Sequence, residues 1–182
     1  MRQLALNIIK QKTCTLKCFV SRQLLSVSLI FALLFSLFVP VASALTASKS
    51  TTTAFRNQIA KNWTFIDQGY YECNCLAWAV GITTAWLWPW GEDNPTLAEV
   101  DTYLTAHGYT AADYPEGYNI YAYGTANSIC HFGKGRGYGP LAIAMESKWG
   151  HCELFGHPDC NPFYTIAEGG LYGKLQAYYC PV

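Results

Sequence analysis

The run Y-Y-E-C-N-C-L-A-W-A-V-G, residues 70–81, contains a cysteine in a setting that suits nucleophilic chemistry. Asn74 is a good N-cap residue and helix formers or packing residues follow, so Cys75 is predicted to begin a buried helix. Free amides and the helix dipole at such a position stabilise negative charge, which favours a thiolate and can hold an oxyanion. Cys75 is therefore a candidate nucleophile. The alternative is a disulfide-bonded or inert core cysteine.

A thiol nucleophile needs a general base, usually histidine, that a third polar group orients. His131 lies in the strand-like run N-S-I-C-H-F, after the cysteine helix and before the next strand-like run, residues 141–148. This order places the cysteine on a helix, the histidine on a strand and the orienting group on the next strand. His157 is the competing base.

Two neighbouring residues are candidates for the orienting group. Glu146 offers a carboxylate, which stabilises an imidazolium, whereas Ser147 has the better geometry. Side chains alternate along a strand, so Ser147 shares a face with Met145, and we expect that face to lie against the cysteine helix. Glu146 would then point the other way, with Lys148. The sequence leaves both candidates open.

Six cysteines follow residue 44, which permits up to three disulfides in an exported chain. Cys152 and Cys160 bracket a short loop that a disulfide could close. The alternative is that some of the cysteines bind zinc, but their spacing lacks the usual two close pairs of ligands. We expect no metal ion and no cofactor. The six residues are Cys73, Cys75, Cys130, Cys152, Cys160 and Cys180.

Hydrophobic periodicity and turn residues predict helices before strands. The capping box from Thr96 to Glu99 opens a helix that ends near Gly108. Helices first and strands second indicate an α+β domain with a helix packed on an antiparallel sheet. The predicted helices are 52–62, 75–85 and the capped one, and the predicted strands are 118–123, 127–132, 141–148, 164–167 and 174–179.

The first 44 residues have the pattern of a secretory signal peptide. They carry five basic groups and no acidic one, followed by an apolar run and the small residues Ala42-Ser43-Ala44. Residues 45–52 are predicted to be a short linker and residues 53–182 a single domain. We expect a secreted or periplasmic protein that has no membrane contact after cleavage. An uncleaved anchor helix is the alternative.

The remaining chain is acidic and rich in aromatic residues. Residues 45–182 contain twelve acidic but only seven basic side chains, which argues against nucleic acid as the partner. Trp86, Trp88 and Trp90 would share one face of an extended segment, as a sugar-stacking platform, a cleft wall or a cap on the core. Asn74, Trp78 and Trp88 are the candidate substrate-binding residues.

An ordered set of motifs spans residues 62–173: N-C-L-A-W-A-V-G, W-L-W-P, a capped helix ending in G-Y, an isolated histidine, S-K-W-G and a terminal Y-G. Its residues are Trp63, Asn74, Cys75, Ala77, Trp78, Gly81, Trp86, Trp88, Pro89, Gly108, Tyr109, His131, Ser147, Lys148, Gly150, His157, Tyr172 and Gly173. The set resembles an uncharacterised bacterial domain family of unknown function. That family in turn resembles papain-like thiol hydrolases of the NlpC and CHAP types, which implies a papain-like fold.

The resemblance implies that Cys75 is the nucleophile and His131 the base of a secreted cysteine hydrolase. Its substrate would be an amide, as in a peptide or a peptidoglycan crosslink. The chain departs from the family pattern at Ile82, where an acidic residue usually follows the glycine. The alternative is a non-catalytic exported module of the same fold that binds glycan or protein through an aromatic surface. A structural or toxin-associated secreted protein is a third hypothesis.

Overall fold

The structure is a computed structural model that describes residues 45–113, 120–136 and 143–182. Within these ranges, three α-helices and seven strands follow one another, with a short 3-10 helix at Ile166–Glu168. The helices are α1 Thr53–Ile59, α2 Cys75–Ala79 and α3 Leu97–Ala106. The strands are β1 Thr64–Asp67, β2 Tyr109–Ala112, β3 Ile120–Thr125, β4 Ser128–Gly135, β5 Met145–Lys148, β6 Leu154–His157 and β7 Lys174–Pro181.

The strands form one sheet in the order β1-β6-β5-β4-β3-β7-β2, and every neighbouring pair is antiparallel. The mixed α+β class predicted from the sequence is therefore confirmed. β4 lies at the centre, paired along most of its length with β3. Its ladder with β5 joins Lys134 to Glu146 and Gly135 to Met145, at the end of β4 farthest from its first residue.

Two clusters of buried residues cover the two faces of the sheet. Along β3, Ile120 and Ala122 belong to one cluster, whereas Tyr121 and Tyr123 belong to the other, as alternation along a strand requires. The first core cluster contains Cys75, Leu76, Ala79, Val100, Leu104, Ile120, Ala122, Ile129, Phe132 and Tyr179. The second core cluster contains Ile59, Ala60, Tyr121, Tyr123, Met145, Trp149, Phe155 and Phe163.

Helix caps were the most reliable sequence signals. Thr96 and Glu99 form the predicted reciprocal capping box, and α3 ends at Ala106, shortly before Gly108 with its φ of +83°. α2 begins at Cys75 as predicted, but it ends at Ala79 rather than at residue 85. The chain turns at Gly81, whose φ of +85° suits a residue without a Cβ atom.

Several strand predictions were wrong. The run 164–167 is not a strand, because Thr165 and Glu168 form a second capping box that closes a 3-10 turn there. The four-residue strands β1, β2 and β6 were not predicted, since each is too short to show a period. The glycine-rich stretch 133–139 belongs partly to β4, while residues 137–142 lie outside the described residues.

The disulfide framework predicted from the cysteine count is not found. All six cysteines of the described ranges are free thiols. Several face separate backbone groups: Sγ of Cys73 lies 3.1 Å from the carbonyl oxygen of Ile82, and Sγ of Cys130 lies 3.3 Å from that of Tyr172. Sγ of Cys180 lies near the carbonyl of Thr110, at the sheet's other end.

Two features are absent from the described residues. None of their helices is long and apolar enough to cross a membrane. No group of three or more histidine, cysteine or carboxylate side chains in the described ranges is arranged to hold a metal ion.

Candidate active site

Cys75 is the first residue of α2 and lies in the first core cluster. The side chain of Asn74 caps the helix by accepting a hydrogen bond from the amide of Ala77 at 3.0 Å. Burial raises the pKa of the Cys75 thiol to about 12, although the amides of Phe132, Leu76 and Cys75 itself oppose this effect. The expected thiolate is therefore wrong for this structure, because desolvation outweighs the helix start.

The gap between β4 and β5 explains why the amide of Phe132 is free to face this sulfur. At the paired end of the two strands, the amide of Arg136 donates to the carbonyl of Ala144 at 3.0 Å. Alternate amides of β4 therefore point toward β5. The ladder has ended before Phe132 is reached. The start of α2 therefore places Cys75 at the opening between the two central strands, beside the residue that follows His131.

His131 and Ser147 form a buried pair across the same two strands. Nε2 of the imidazole and Oγ of the hydroxyl share a hydrogen bond of 2.9 Å. Glu146 points to the opposite face, where its carboxylate accepts from Nε of Arg136 at 2.6 Å. Of the two orienting candidates, the structure brings Ser147 to His131 and pairs Glu146 with an arginine.

One expectation about this strand was wrong. Ser147 does share a face with Met145, but Met145 belongs to the second core cluster, whereas Cys75 belongs to the first. The face of Ser147 is therefore turned away from α2. The register of β5 could not be assigned to a face from alternation alone, because both faces of this strand are buried.

The imidazole of His131 is enclosed by aromatic rings. It stacks on Tyr172 with 3.8 Å between ring centroids and 8° between planes, and Phe163 meets it edge-on at 5.1 Å. Desolvation lowers the pKa of His131 well below its usual value, and repulsion from His157 lowers it further. At neutral pH the base is therefore uncharged, as is the thiol.

His157, the competing base, is held by a different group. Its Nδ1 donates to the carbonyl oxygen of Asn62 at 2.6 Å, while its Nε2 is buried without a partner among the described residues. Burial lowers the pKa of His157 to about 4. Its ring packs against Trp149 and Phe163 in the second core cluster. These contacts assign it to the packing around His131.

The backbone of β4 lies between the sulfur of Cys75 and the imidazole of His131. The amide of Phe132 faces the sulfur, and this amide is bonded directly to residue 131. In the described ranges no hydrogen bond joins Cys75 to an imidazole. Nε2 of His131 is engaged by Ser147, so Nδ1 is the ring nitrogen on the side away from this hydrogen bond.

The S-K-W-G block has a structural explanation beyond Ser147. Lys148 is buried, and its Nζ donates to the carbonyl of Gly150 at 2.6 Å and to that of Cys152. Gly150 turns the chain with a φ of +57°. Desolvation lowers the pKa of Lys148, while the nearby thiols, Cys73 first, act against this. The ammonium group of Lys148 therefore holds the turn after β5 in place.

The predicted substrate-binding residues serve mainly as packing. Asn74 is buried, and its amide group donates to the carbonyl of Leu87 at 2.8 Å. Trp88 donates to the carbonyl of Asp93 and packs edge-on against Trp90 and Phe132, so it caps the first core cluster.

The other tryptophans differ in their surroundings. Trp78 is half-buried, with Nζ of Lys134 at 6.0 Å from its ring centroid. Trp86 is 49% exposed and packs on His151, which stacks in turn on Tyr71. The three tryptophans of the Trp-rich segment therefore do not form one platform.

Sequence reasoning placed Tyr172 only in the terminal Y-G motif and gave it no role. Phe163 was not singled out at all. The motif itself was the available signal for Tyr172, because a Tyr-Gly pair far along the chain carries no local chemistry that predicts stacking on a histidine 41 positions earlier.

The fold and the site together define a mixed α+β domain with a buried histidine–serine pair on its two central strands and a free cysteine at the start of α2. The chain belongs to the family described as Domain of unknown function (DUF7689), whose model matches residues 65–180. The predicted membership of an uncharacterised family is confirmed. No curated protein and no solved structure shows significant similarity to the chain.

Proposed function

We propose that this protein is an exported cysteine hydrolase with a papain-like arrangement that cleaves an amide, such as a peptide or a peptidoglycan crosslink. The observation that carries the proposal is the hydrogen bond between Nε2 of His131 and Oγ of Ser147, together with the amide of the next residue, Phe132, which faces the sulfur of Cys75. A buried histidine that is oriented through one nitrogen and free at the other is what a thiol nucleophile requires.

In the proposed reaction, Sγ of Cys75 reaches Nδ1 of His131 through the opening between β4 and β5 and gives up its proton there while the sulfur attacks the carbonyl carbon. This needs the tautomer in which Nε2–H donates to Ser147. The amides of Cys75 and Leu76 at the start of α2 face the sulfur and would hold the developing oxyanion. The C–N bond then breaks, the imidazolium gives its proton to the leaving amine, and water releases the acid from the thioester.

The resting pair is neutral because burial raises the pKa of Cys75 and lowers that of His131. Proton transfer must therefore accompany the attack on substrate, rather than precede it in the free enzyme. This distinguishes the proposal from a site with a standing thiolate–imidazolium pair, and it predicts slow reaction with simple alkylating agents.

The experiment measures hydrolysis of p-nitrophenyl acetate and of cross-linked peptidoglycan by the purified exported chain. Cys75→Ala and His131→Ala should each abolish turnover, and peptide mapping should find the acetyl group on Cys75. Cys180→Ala, which removes a thiol near the carbonyl of Thr110, is the matched control and should retain full turnover. Turnover that survives Cys75→Ala would exclude the hydrolase.

The exposed face of Trp86 favours a second candidate function, a binding module for glycan. Its indole is held from behind by His151, 4.3 Å away between ring centroids, so the outer face is fixed and open. Sedimentation with insoluble peptidoglycan tests this. Trp86→Ala should release the protein, whereas Phe55→Ala, which removes another exposed ring, should not. Equal binding by both variants contradicts this function.

A further inference from the structure

Tyr172 covers one face of the proposed catalytic imidazole. The rings of Tyr172 and His131 are nearly parallel, at 8° and 3.8 Å. Phe163 meets both rings edge-on, 5.1 Å from each, at 89° to His131 and 85° to Tyr172. The imidazole is thus held in one plane by a phenol ring, with a buried phenylalanine closing the side.

The segment that carries Tyr172 lies against β4 at one point and against β3 at another. The carbonyl oxygen of Tyr172 lies 3.3 Å from Sγ of Cys130, the residue before His131. Gly173 has a φ of +73°, and a Cβ atom there would lie 3.0 Å from Cα of Gly124. The Tyr-Gly pair therefore brings the phenol onto the histidine through a close approach of two backbone segments. A residue with a Cβ atom in place of Gly173 would strain this approach.

Among the described residues, no carboxylate contributes to the shifted pKa of His131, so none of them balances a proton there. Tyr123 faces it from β3 at 6.1 Å, Ser147 from β5 and His157 from β6. All three are neutral at pH 7, and the carboxylate of Glu146 is committed to Arg136 on the other face. An imidazolium formed during the reaction would therefore need another source of stabilisation.

We propose that Tyr172 is the positioning residue of this site: its ring fixes the plane of the His131 imidazole, and its π face stabilises the imidazolium while Nδ1 carries the proton of Cys75. This inference rests on the proposed hydrolase function. A cation within about 6 Å of an aromatic centroid is attracted to the ring face, more strongly where water is excluded. Tyr172 gains and loses no atom in the reaction, since the proton passes from sulfur to Nδ1 and on to the leaving group.

The surroundings of Tyr172 keep its phenol neutral. The pKa of Tyr172 is raised well above its usual value, first by burial and then by negative charge on Cys75. The phenol therefore stays protonated and neutral, so its ring face remains available to the imidazolium.

The test compares Tyr172→Leu, Tyr172→Phe and Tyr178→Leu in the full chain. Tyr178 is the matched control, because it also packs on the second core cluster, where its ring contacts Tyr121. Two readouts are used: kcat and KM for p-nitrophenyl acetate, and titration of His131 by imidazole nitrogen NMR. Thermal unfolding of each variant separates loss of folding from loss of function.

Tyr172→Leu should lower kcat by roughly 5- to 30-fold with little change in KM. It should also move the titration of His131 to lower pH. Tyr172→Phe should restore both, and Tyr178→Leu should change neither. The same His131 titration curve in all four proteins would overturn the role of Tyr172. The NMR titration does not depend on turnover. A wild-type protein without turnover would refute the hydrolase, whereas the titration of His131 would still show whether Tyr172 stabilises the imidazolium.

Discussion

Nε2 of His131 and Oγ of Ser147 lie 2.9 Å apart, on adjacent central strands of the sheet. Both side chains are buried, so the bond fixes which nitrogen of the imidazole faces the serine and leaves Nδ1 to the other side. Glu146, the preceding residue, takes no part in this contact because its carboxylate accepts a hydrogen bond from Arg136.

Ser147→Ala should therefore impair the site more than Glu146→Gln. Removing the hydroxyl leaves a buried imidazole nitrogen without its partner, which should cost about 1–3 kcal/mol of unfolding free energy. It should also reduce kcat by tenfold or more, since the ring loses its orientation. Urea unfolding and ester hydrolysis measure the two effects. If Glu146→Gln reduces kcat and Ser147→Ala does not, the orienting group has been assigned to the wrong residue.

Alkylation of Cys75 should be slow at neutral pH and should accelerate steeply with alkali. Because burial raises the thiol pKa to about 12, about one thiol in ten thousand is ionised at pH 8. The rate with iodoacetamide should rise about tenfold for each pH unit between pH 7 and pH 10. Mass spectrometry of the Cys75 peptide measures it, with Cys75→Ala as background. A plateau near pH 8 would mean that the thiol titrates normally.

Acid should destabilise the fold through its buried histidines. The pKa of His157 is lowered to about 4 and that of His131 well below its usual value. In mild acid the unfolded chain therefore binds protons at these histidines that the folded chain does not bind. Stability is complete above the unfolded pKa near 6.5 and falls as pH drops from there toward the folded values, by up to about 1.4 kcal/mol per unit for each histidine.

Urea unfolding between pH 7.5 and pH 4.5 checks this. His157→Gln, which keeps a donor for Asn62 and cannot titrate, should flatten the slope. An unchanged slope in that variant would assign the acid sensitivity to other groups.

Gly124→Ala should be strongly destabilising. Gly124 lies at the irregularity where the β3–β4 register shifts, its φ is +145°, and a Cβ atom there would collide with the carbonyl oxygen of Ser128. Gly81 is the matched control, because its φ is also positive but a Cβ atom would meet open space. We expect a loss of more than about 2 kcal/mol for Gly124→Ala and about 1 kcal/mol for Gly81→Ala in thermal unfolding. Equal losses would show that backbone strain alone is responsible.

The sequence by itself determined features that depend on local chemistry. Asn74 followed by a run of packing residues specified the start of α2 at Cys75, and Thr96 with Glu99 specified the start of α3, because a cap needs only the residues within one turn. The strand character of the segment around His131 was also evident from its own residues. The predicted helices and strands together were enough to assign the α+β class.

Only the tertiary structure decided which of these residues meet. The separation of β4 from β5 leaves an amide for Cys75, and the pairing register selects Ser147 over Glu146. Tyr172 reaches His131 through a turn that no periodicity predicts. Burial then reversed the expected charge of the thiol, because desolvation depends on all the elements that enclose a group and not on the residues beside it in the chain.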